Sequence, residues 1–319
     1  MSSLRRLVAL LAAAALCLGA AACGRADDQG PSGSSPGSGL KIFATTGYLG
    51  DAAKNVAPGA EITVMVKPGG DPHTYQPTTR DIEAMQSADI VLWNGLHLEA
   101  LMIDRLRDQG ERGLEVGAGV DPKLLLDWPE TDAEGNALSD PHIWNSPEIW
   151  QSVVTQIGDK CAETDADHGD EYRANAEAYN AKIAALDEKA NARFAAIPEE
   201  NRVLVTGHDA FNYLGQRYGL TVYATDFVSS EAELSAGDLK NLAAMISEKR
   251  VPIIFVDNVK NPQAIRSLQE AVRANGWDVA VSETELYADS LGDASPVDTY
   301  LGVFEHNVET IASGLGAQQ

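Results

Sequence analysis

An α/β architecture, with two β/α lobes of mainly parallel sheet joined by one long rigid α-helix, follows from three observations in this chain. Short apolar runs alternate with amphipathic helical stretches after residue 39, the pattern of parallel strands joined by crossover helices. The alternation occurs twice in the same order. Between the two occurrences lies a helical periodicity more than six turns long with no interior glycine or proline.

The first 39 residues stand apart from that pattern. Arg5 and Arg6 precede an apolar run from Leu7 to Leu18 and then small residues, which is an export signal. The run is shorter than the roughly 20 apolar residues of a permanent membrane span. Ala20-Ala21-Ala22 suits an ordinary signal peptidase, whereas Ala-Ala-Ala-Cys ending at Cys23 resembles a bacterial lipobox with Ala20 in place of the usual leucine. The Gly/Ser/Pro-rich stretch from Gly24 to Gly39 is the flexible spacer an anchored domain needs, and it favours the lipobox.

"LKIFATT" is predicted as a strand, "YLGDAAKNVA" as a helix, "EITVMV" as a strand, "TRDIEAMQSA" as a helix and "DIVLWNG" as a strand. "RVLVTG", "DAFNYLGQRYG", "LTVYAT", "AGDLKNLAAMISEKR" and "PIIFVDN" repeat the series, with Gly47 corresponding to Gly207 and the helix opening near Asp81 to the one opening near Asp238. In the intervening segment Tyr172, Ala176, Tyr179, Ile183, Leu186, Ala190 and Phe194 recur every three or four residues up to Pro198. A helix of roughly 28 residues would span about 42 Å, enough to run along both lobes. The alternative is a core helix of a single domain, which would leave the two repeats without a boundary.

Composition narrows the function. The 319 residues carry a formal charge of −23, and loss of Arg5 and Arg6 leaves 22 basic against 47 acidic residues, a net −25. Such a surface is a poor partner for nucleic acid. With Cys17 in the signal and Cys23 at the lipidation site, Cys161 has no disulfide partner and is expected to be a buried small hydrophobe.

Only six histidines are present, and two of them, His73 and His142, share the phrase Asp-Pro-His. His73 follows "EITVMV" and His208 follows "RVLVTG", so both lie beyond the carboxyl end of a predicted strand, where open α/β sheets bind ligands. Pro72 and Pro141 stiffen the loops before His73 and His142. Asp289 follows the predicted strand "WDVAVS". Three imidazoles and one carboxylate would make a four-coordinate site suited to Zn²⁺. Taken singly, Asp289 could be a turn residue, His142 and Trp144 part of an exposed loop, and His208 a helix cap over "DAFNYLG".

The phrases "DPHTYQPT", "ADIVLWNGLHLE", "DPHIWNSP", "VTGHDAFNYLGQRYGL", "SSEAELSAGDL", "LYADSLG" and "TYLGVFEHNVETI" cover nearly the whole mature chain in order. Together they resemble the metal-binding lipoproteins of ABC importers for zinc and manganese, the cluster A-I substrate-binding proteins. The resemblance implies two α/β lobes joined by a rigid helix, with metal ligands His73 and His142 from the first lobe and His208 and Asp289 from the second. It divides the chain into a signal peptide (1–22), a tether after a lipidated Cys23 (23–39), an N-terminal metal-binding lobe (40–164), a connecting helix (165–198) and a C-terminal metal-binding lobe (199–319). Members resembling manganese importers commonly carry Glu where this chain has His208. Because imidazole suits zinc and Mn²⁺ prefers oxygen, Zn²⁺ is the expected cargo, with Mn²⁺ or iron as the alternative.

Many zinc-binding relatives carry a His-rich loop before the second histidine. Here Asp127, Glu130, Asp132, Glu134 and Asp140 occupy that region, a solvated loop or at most a weak oxygen-based capture site. His97 is expected to be structural or to stand behind the ligands, and His168 and His306 fall on helices with no role. The expected protein is a monomeric carrier and not an enzyme, exported and held on the outer face of the cytoplasmic membrane by Cys23, or otherwise periplasmic or secreted. It would deliver metal to an ABC permease driven by a cytoplasmic ATPase, by loop movements and small lobe shifts, with binding weakened below about pH 6. A metallohydrolase and a surface adhesin are the rival functions.

Overall fold

The computed structural model describes residues 39–132, 135–225, 235–258 and 262–317. The expected signal peptide, Cys23, the tether up to residue 38, Glu134 and residues 229–234 of the "SSEAELSAGDL" phrase lie outside the described residues.

The amino-terminal half runs β1 (Lys41–Ala44), α1 (Gly47–Val56), β2 (Glu61–Val64), α2 (Thr79–Ser87), β3 (Ile90–Trp93), α3 (Ile103–Arg107), β4 (Gly113–Glu115), β5 (Asp127–Thr131), β6 (Ala137–Ser139) and α4 (Pro147–Thr164). After α5 (Gly169–Ala195) come β7 (Val203–Thr206), α6 (Asn212–Tyr218), β8 (Thr221–Ala224), α7 (Ala236–Lys249), β9 (Ile253–Ile254), α8 (Pro262–Ala274), β10 (Ala280–Val281) and α9 (Tyr300–Gly314).

The first sheet has the order β2-β1-β3-β4 and every pair is parallel. Parallel neighbours need crossover connections, which α1 and α2 supply, and the crossovers deliver the carboxyl ends of the strands to one edge. The second half repeats the device with parallel pairs β7–β8 and β9–β10, and the N–H of Phe255 donates to the Val205 carbonyl at 2.8 Å to join them. The repeat extends to the helix starts. Thr78 caps α2 with Asp81 three residues on, and Ser235 caps α7 with Asp238 in the same place.

β9 and β10 are much shorter than "PIIFVDN" and "WDVAVS" suggested. Past Ile254 the pairing continues as an isolated parallel bridge between Asp257 and Leu286, and there the Asp257 and Asn258 side chains reach other segments.

Three apolar clusters fill the interior. One lies under the first sheet, around Phe43, Met65, Val91 and Trp93. Another lies between β7, β9 and helices α7 and α8, around Val205, Ile246, Ile254 and Leu268. The largest joins both halves and includes Tyr48, Trp150, Ile183, Phe194, Phe211 and Tyr300. α5 is its spine: the seven apolar residues that carried the periodicity are all buried along one face. Its 27 residues extend about 40 Å at 1.5 Å each. It packs on α1 and α4 of the first half and on α6 and α9 of the second, so the connecting helix is also a core helix. Asp170 and Glu171 in its first turn and Arg193 in its last complement the helix dipole.

The acidic stretch before His142 departs from the expected solvated loop. It forms the antiparallel hairpin β5–β6, which buries Trp128, and it ends in Asp140, whose side chain is buried. Cys161 is buried, as the sequence suggested, and among the described residues it is a free thiol.

Candidate metal centre

His73 lies beyond β2, His142 opens a short 3-10 turn at Ile143–Asn145, His208 follows β7 and Asp289 lies beyond β10. The two Asp-Pro-His phrases do the same mechanical work. Asp71 Oδ1 accepts the N–H of His73 at 2.8 Å, and Asp140 Oδ1 accepts the N–H of His142 at 2.9 Å. Each aspartate closes a turn over its proline and so aims the histidine two residues on.

Asp140 Oδ1 also meets His142 Nδ1 at 2.8 Å. An ionised carboxylate accepts only, so Nδ1 carries a hydrogen and Nε2 is the nitrogen that faces the site and could bind a cation in exchange for its own proton. Asn212 donates to the other Asp140 oxygen at 3.2 Å. His208 is held through its backbone, whose N–H donates to Asp257 Oδ2 at 2.7 Å. Gly207 makes that approach possible, since a Cβ there would lie 2.7 Å from the same oxygen. The segment bearing Asp289 is fixed by two asparagines: Asn258 accepts the Ala288 N–H and donates to the Ser290 carbonyl, and Asn307 brackets Tyr287 on both its N–H and its carbonyl.

Residues of the first half hold that same segment. Tyr48 Oη and Trp144 Nε1 both donate to the Ala288 carbonyl, at 3.1 and 2.8 Å, and the Gly69 N–H donates to Ser290 Oγ at 3.0 Å. Asp289 is thus positioned from both sides of the cleft.

The four side chains converge on one point, with one ligand atom from each lying within 4.8 Å of all the others. His142 Nε2 is 3.3 Å from both His73 Nε2 and His208 Nε2. A tetrahedron with zinc–nitrogen bonds of about 2.0–2.1 Å has an edge of about 3.3–3.4 Å. Asp289 oxygens lie 3.0 Å from His208 Nε2, 3.4 Å from His142 Nε2 and 3.8 Å from His73 Nε2. Among the described residues neither Asp289 oxygen has a partner in hydrogen-bond alignment, although the side chain is fully buried. A buried carboxylate is costly without a compensating cation. Of the four side chains His73 is nearest solvent, with 6% of its side chain exposed against 1% or less for the other three.

Electrostatics divides the histidines. Burial pushes His73 down to about 3, so at neutral pH its lone pair is free. Burial also opposes charge on His142, but the Asp140 carboxylate, followed by Asp289, outweighs it and pushes His142 up to about 10. His208 is raised because Asp289 and, more weakly, Asp257 overcome its burial. Burial works against the charge of Asp289, yet His208 and His142 hold it well below the usual carboxylate range. In the metal-free site, protons stand where a cation would be.

The four residues singled out in the sequence are therefore the four that the fold assembles. His142 and Trp144 are buried, not in an exposed loop, and His208 does not cap a helix, since α6 begins at Asn212 after Phe211. His97 stays outside the group, in a turn where Gly95, Leu96 and His97 all have positive φ. His168 pairs with Asp165 at the start of α5, and His306 on α9 meets the Glu285 carbonyl. The sequence reading missed Asp140, Asp257, Asn258 and Asn307. Of these only Asp140 had a local signal, its place two residues before a histidine in a phrase used twice.

The chain matches the family model described as zinc-uptake complex component A, periplasmic (ZnuA), over residues 42–314. It is 33% identical over 280 residues to the manganese-binding lipoprotein MntA of Bacillus subtilis, covering 86% of this chain and 90% of that one. It is also 33% identical over 280 residues to the zinc-binding protein TroA of Treponema pallidum, covering 86% and 88%, and 32% identical over 282 residues to the iron-binding protein YfeA of Yersinia pestis, covering 87% and 86%. The solved structure of the T. pallidum zinc-binding protein superposes with a TM-score of 0.80 at 32% identity, over 86% of this chain and 99% of that one. With two β/α lobes, a long helix and a sequence match over most of its length, the chain belongs to the ZnuA family of metal-binding substrate-binding proteins.

Proposed function

We propose that this protein is the extracytoplasmic carrier of an ABC importer, capturing Zn²⁺ between its lobes and delivering it to a permease driven by a cytoplasmic ATPase. The ligands would be His73 and His142 from the first lobe (40–164) and His208 and Asp289 from the second (199–319). The observation that carries this reading is the buried Asp289 carboxylate, without an aligned hydrogen-bond partner among the described residues, facing three imidazoles whose Nε2 atoms stand 3.3 Å apart in the two pairs that include His142. Four protein donors around one point leave no position for a reacting water, which favours carriage over hydrolysis. Relatives of nearly equal identity are named for manganese, zinc and iron, so identity does not choose the metal. The proposed donor set supports zinc, since three imidazoles suit Zn²⁺ better than the more oxygen-seeking Mn²⁺. Anchoring through Cys23 fits the relatives named as lipoproteins.

The test is competitive titration of the stripped protein with Zn²⁺, Mn²⁺ and Fe²⁺, beside His208→Ala and Asp289→Ala. Zn²⁺ is expected to win at equal free concentration and both variants to bind at least a hundredfold more weakly. Preference for Mn²⁺ overturns the metal assignment, and variants that bind like wild type overturn the site. Detergent partitioning of the full chain against Cys23→Ala tests the anchor, which predicts that only the former enters the detergent phase.

A further inference from the structure

Helix α1 belongs to the first lobe, yet one of its faces is committed to the second. Tyr48 and Asp51, one turn apart, project from that face. Tyr48 Oη donates to the Ala288 carbonyl, next to Asp289, while its ring stacks on Trp144 with centroids 4.9 Å apart. Asp51 Oδ2 accepts the hydroxyl of Tyr179 on α5 at 2.6 Å and the N–H of Tyr300, the first residue of α9, at 3.2 Å. One turn of one helix therefore grips the ligand segment, the connecting helix and the start of the last helix. Neither residue is within the ligand group.

The seam beside this grip is not fully packed. A cleft of about 420 Å³ lies along it, lined among others by Gly50, Lys54, Val64, Pro68, Leu291 and Asp298. Leu291 packs close to Gly47 at one wall, two residues beyond Asp289. The residues just after the Asp289 segment, Leu291 to Asp293, thus border open space on this side, and the Tyr48 hydroxyl, Trp144 Nε1 and the Gly69 N–H are what hold the segment from the first lobe.

We propose that α1 is a latch that sets how fast the metal leaves: Tyr48 and Asp51 hold the lobes together across the cleft without touching the ion, and opening the site breaks their hydrogen bonds. The proposal rests on the carrier reading above and adds to it the element that governs release. A bond broken on the way to the open state accelerates departure and leaves capture by the open form unchanged.

The experiment is stopped-flow release of Zn²⁺ from the loaded protein into excess chelator, with association measured separately. Tyr48→Phe and Tyr179→Phe each remove one hydroxyl. Tyr218→Phe is the control, because its hydroxyl donates to Asp187 Oδ1 at 2.7 Å between α6 and α5, without involving α1. Loss of one net hydrogen bond should speed release about fivefold in each test variant. Association should stay within twofold of wild type, and the control should release at the wild-type rate. Test variants that bind Zn²⁺ and release it at the wild-type rate overturn the latch and leave the carrier reading standing, as does equal acceleration by the control. Should Tyr179→Phe not fold, Tyr48→Phe decides alone, since Trp144 Nε1 still satisfies the Ala288 carbonyl. A wild-type protein that binds no metal overturns the carrier reading and the latch with it.

Discussion

Substituting Asp140 by Asn should weaken metal binding although Asp140 touches no metal. Its Oδ1 takes both the backbone N–H and Nδ1–H of His142, and its Oδ2 takes Asn212. An Asn side chain with its oxygen in the Oδ1 place keeps the two His142 bonds but sets its own N–H₂ against the Asn212 amide, donor against donor. Turned the other way, it sets N–H₂ against both His142 donors and favours the tautomer with the hydrogen on Nε2, the ligand atom. Either arrangement also removes the charge that makes the imidazole a strong donor. Replacing such a partner typically costs 10- to 100-fold in affinity, or about 1.4–2.8 kcal/mol. The assay is competition with a chelator of known affinity at fixed pH, with thermal unfolding of the metal-free protein to show that it is folded. Asp127→Asn, at an exposed position on the same hairpin, is the control and should bind as wild type. A folded Asp140→Asn protein within twofold of wild type would refute the tautomer argument.

Other expectations concern pH, metal choice and close packing. Because His142 is pushed up to about 10, Zn²⁺ must displace its proton, and apparent affinity should climb about tenfold per pH unit through pH 8 on that account alone, with the raised His208 adding in the same direction. A plateau above pH 6.5, the behaviour of ordinary histidines and close to the sequence-based expectation of weakening below pH 6, would contradict this. In the metal-free protein the same raised His142 adds stability that is full below its unfolded value of about 6.5 and fades as pH rises toward 10, measurable as a falling denaturation midpoint relative to His142→Gln. His208→Glu replaces an imidazole by a carboxylate and should shift the Zn²⁺-to-Mn²⁺ affinity ratio toward manganese on the order of tenfold, read by competition titration. Gly207→Ala drives a Cβ against Asp257 and should cost about 1–3 kcal/mol in unfolding free energy while loosening Zn²⁺ binding; unchanged unfolding and affinity would show that Asp257 does not depend on the glycine.

The spine and the candidate site were legible in the sequence for different reasons. The face of α5 was written locally, as apolar residues every three or four positions, and all seven are buried. His73, His142, His208 and Asp289, which the fold brings together, were each only weakly marked by standing past strands or in the Asp-Pro-His phrases, and the family resemblance is what joined them into a set. Asp140 was misjudged as part of a solvated acidic run, because charge alone does not tell a carboxylate that faces water from one that faces an imidazole. The grip of Tyr48 on Ala288 and of Asp51 on Tyr300 spans 240 and 249 residues and has no local signature at all. Likewise Asp257 and Asn258, just past β9, position His208 and Ala288, and the apolar run before them carries no sign of it.

The central claim, one cation held jointly by both lobes, is tested most directly by X-ray absorption on the Zn²⁺-loaded protein together with anomalous diffraction from its crystals. The account predicts one zinc per chain, surrounded by three nitrogens and carboxylate oxygen at about 2.0–2.2 Å, with His73 and His142 on one side and His208 and Asp289 on the other. Zinc lying elsewhere, or bound by only one lobe's residues and completed by water, would contradict it.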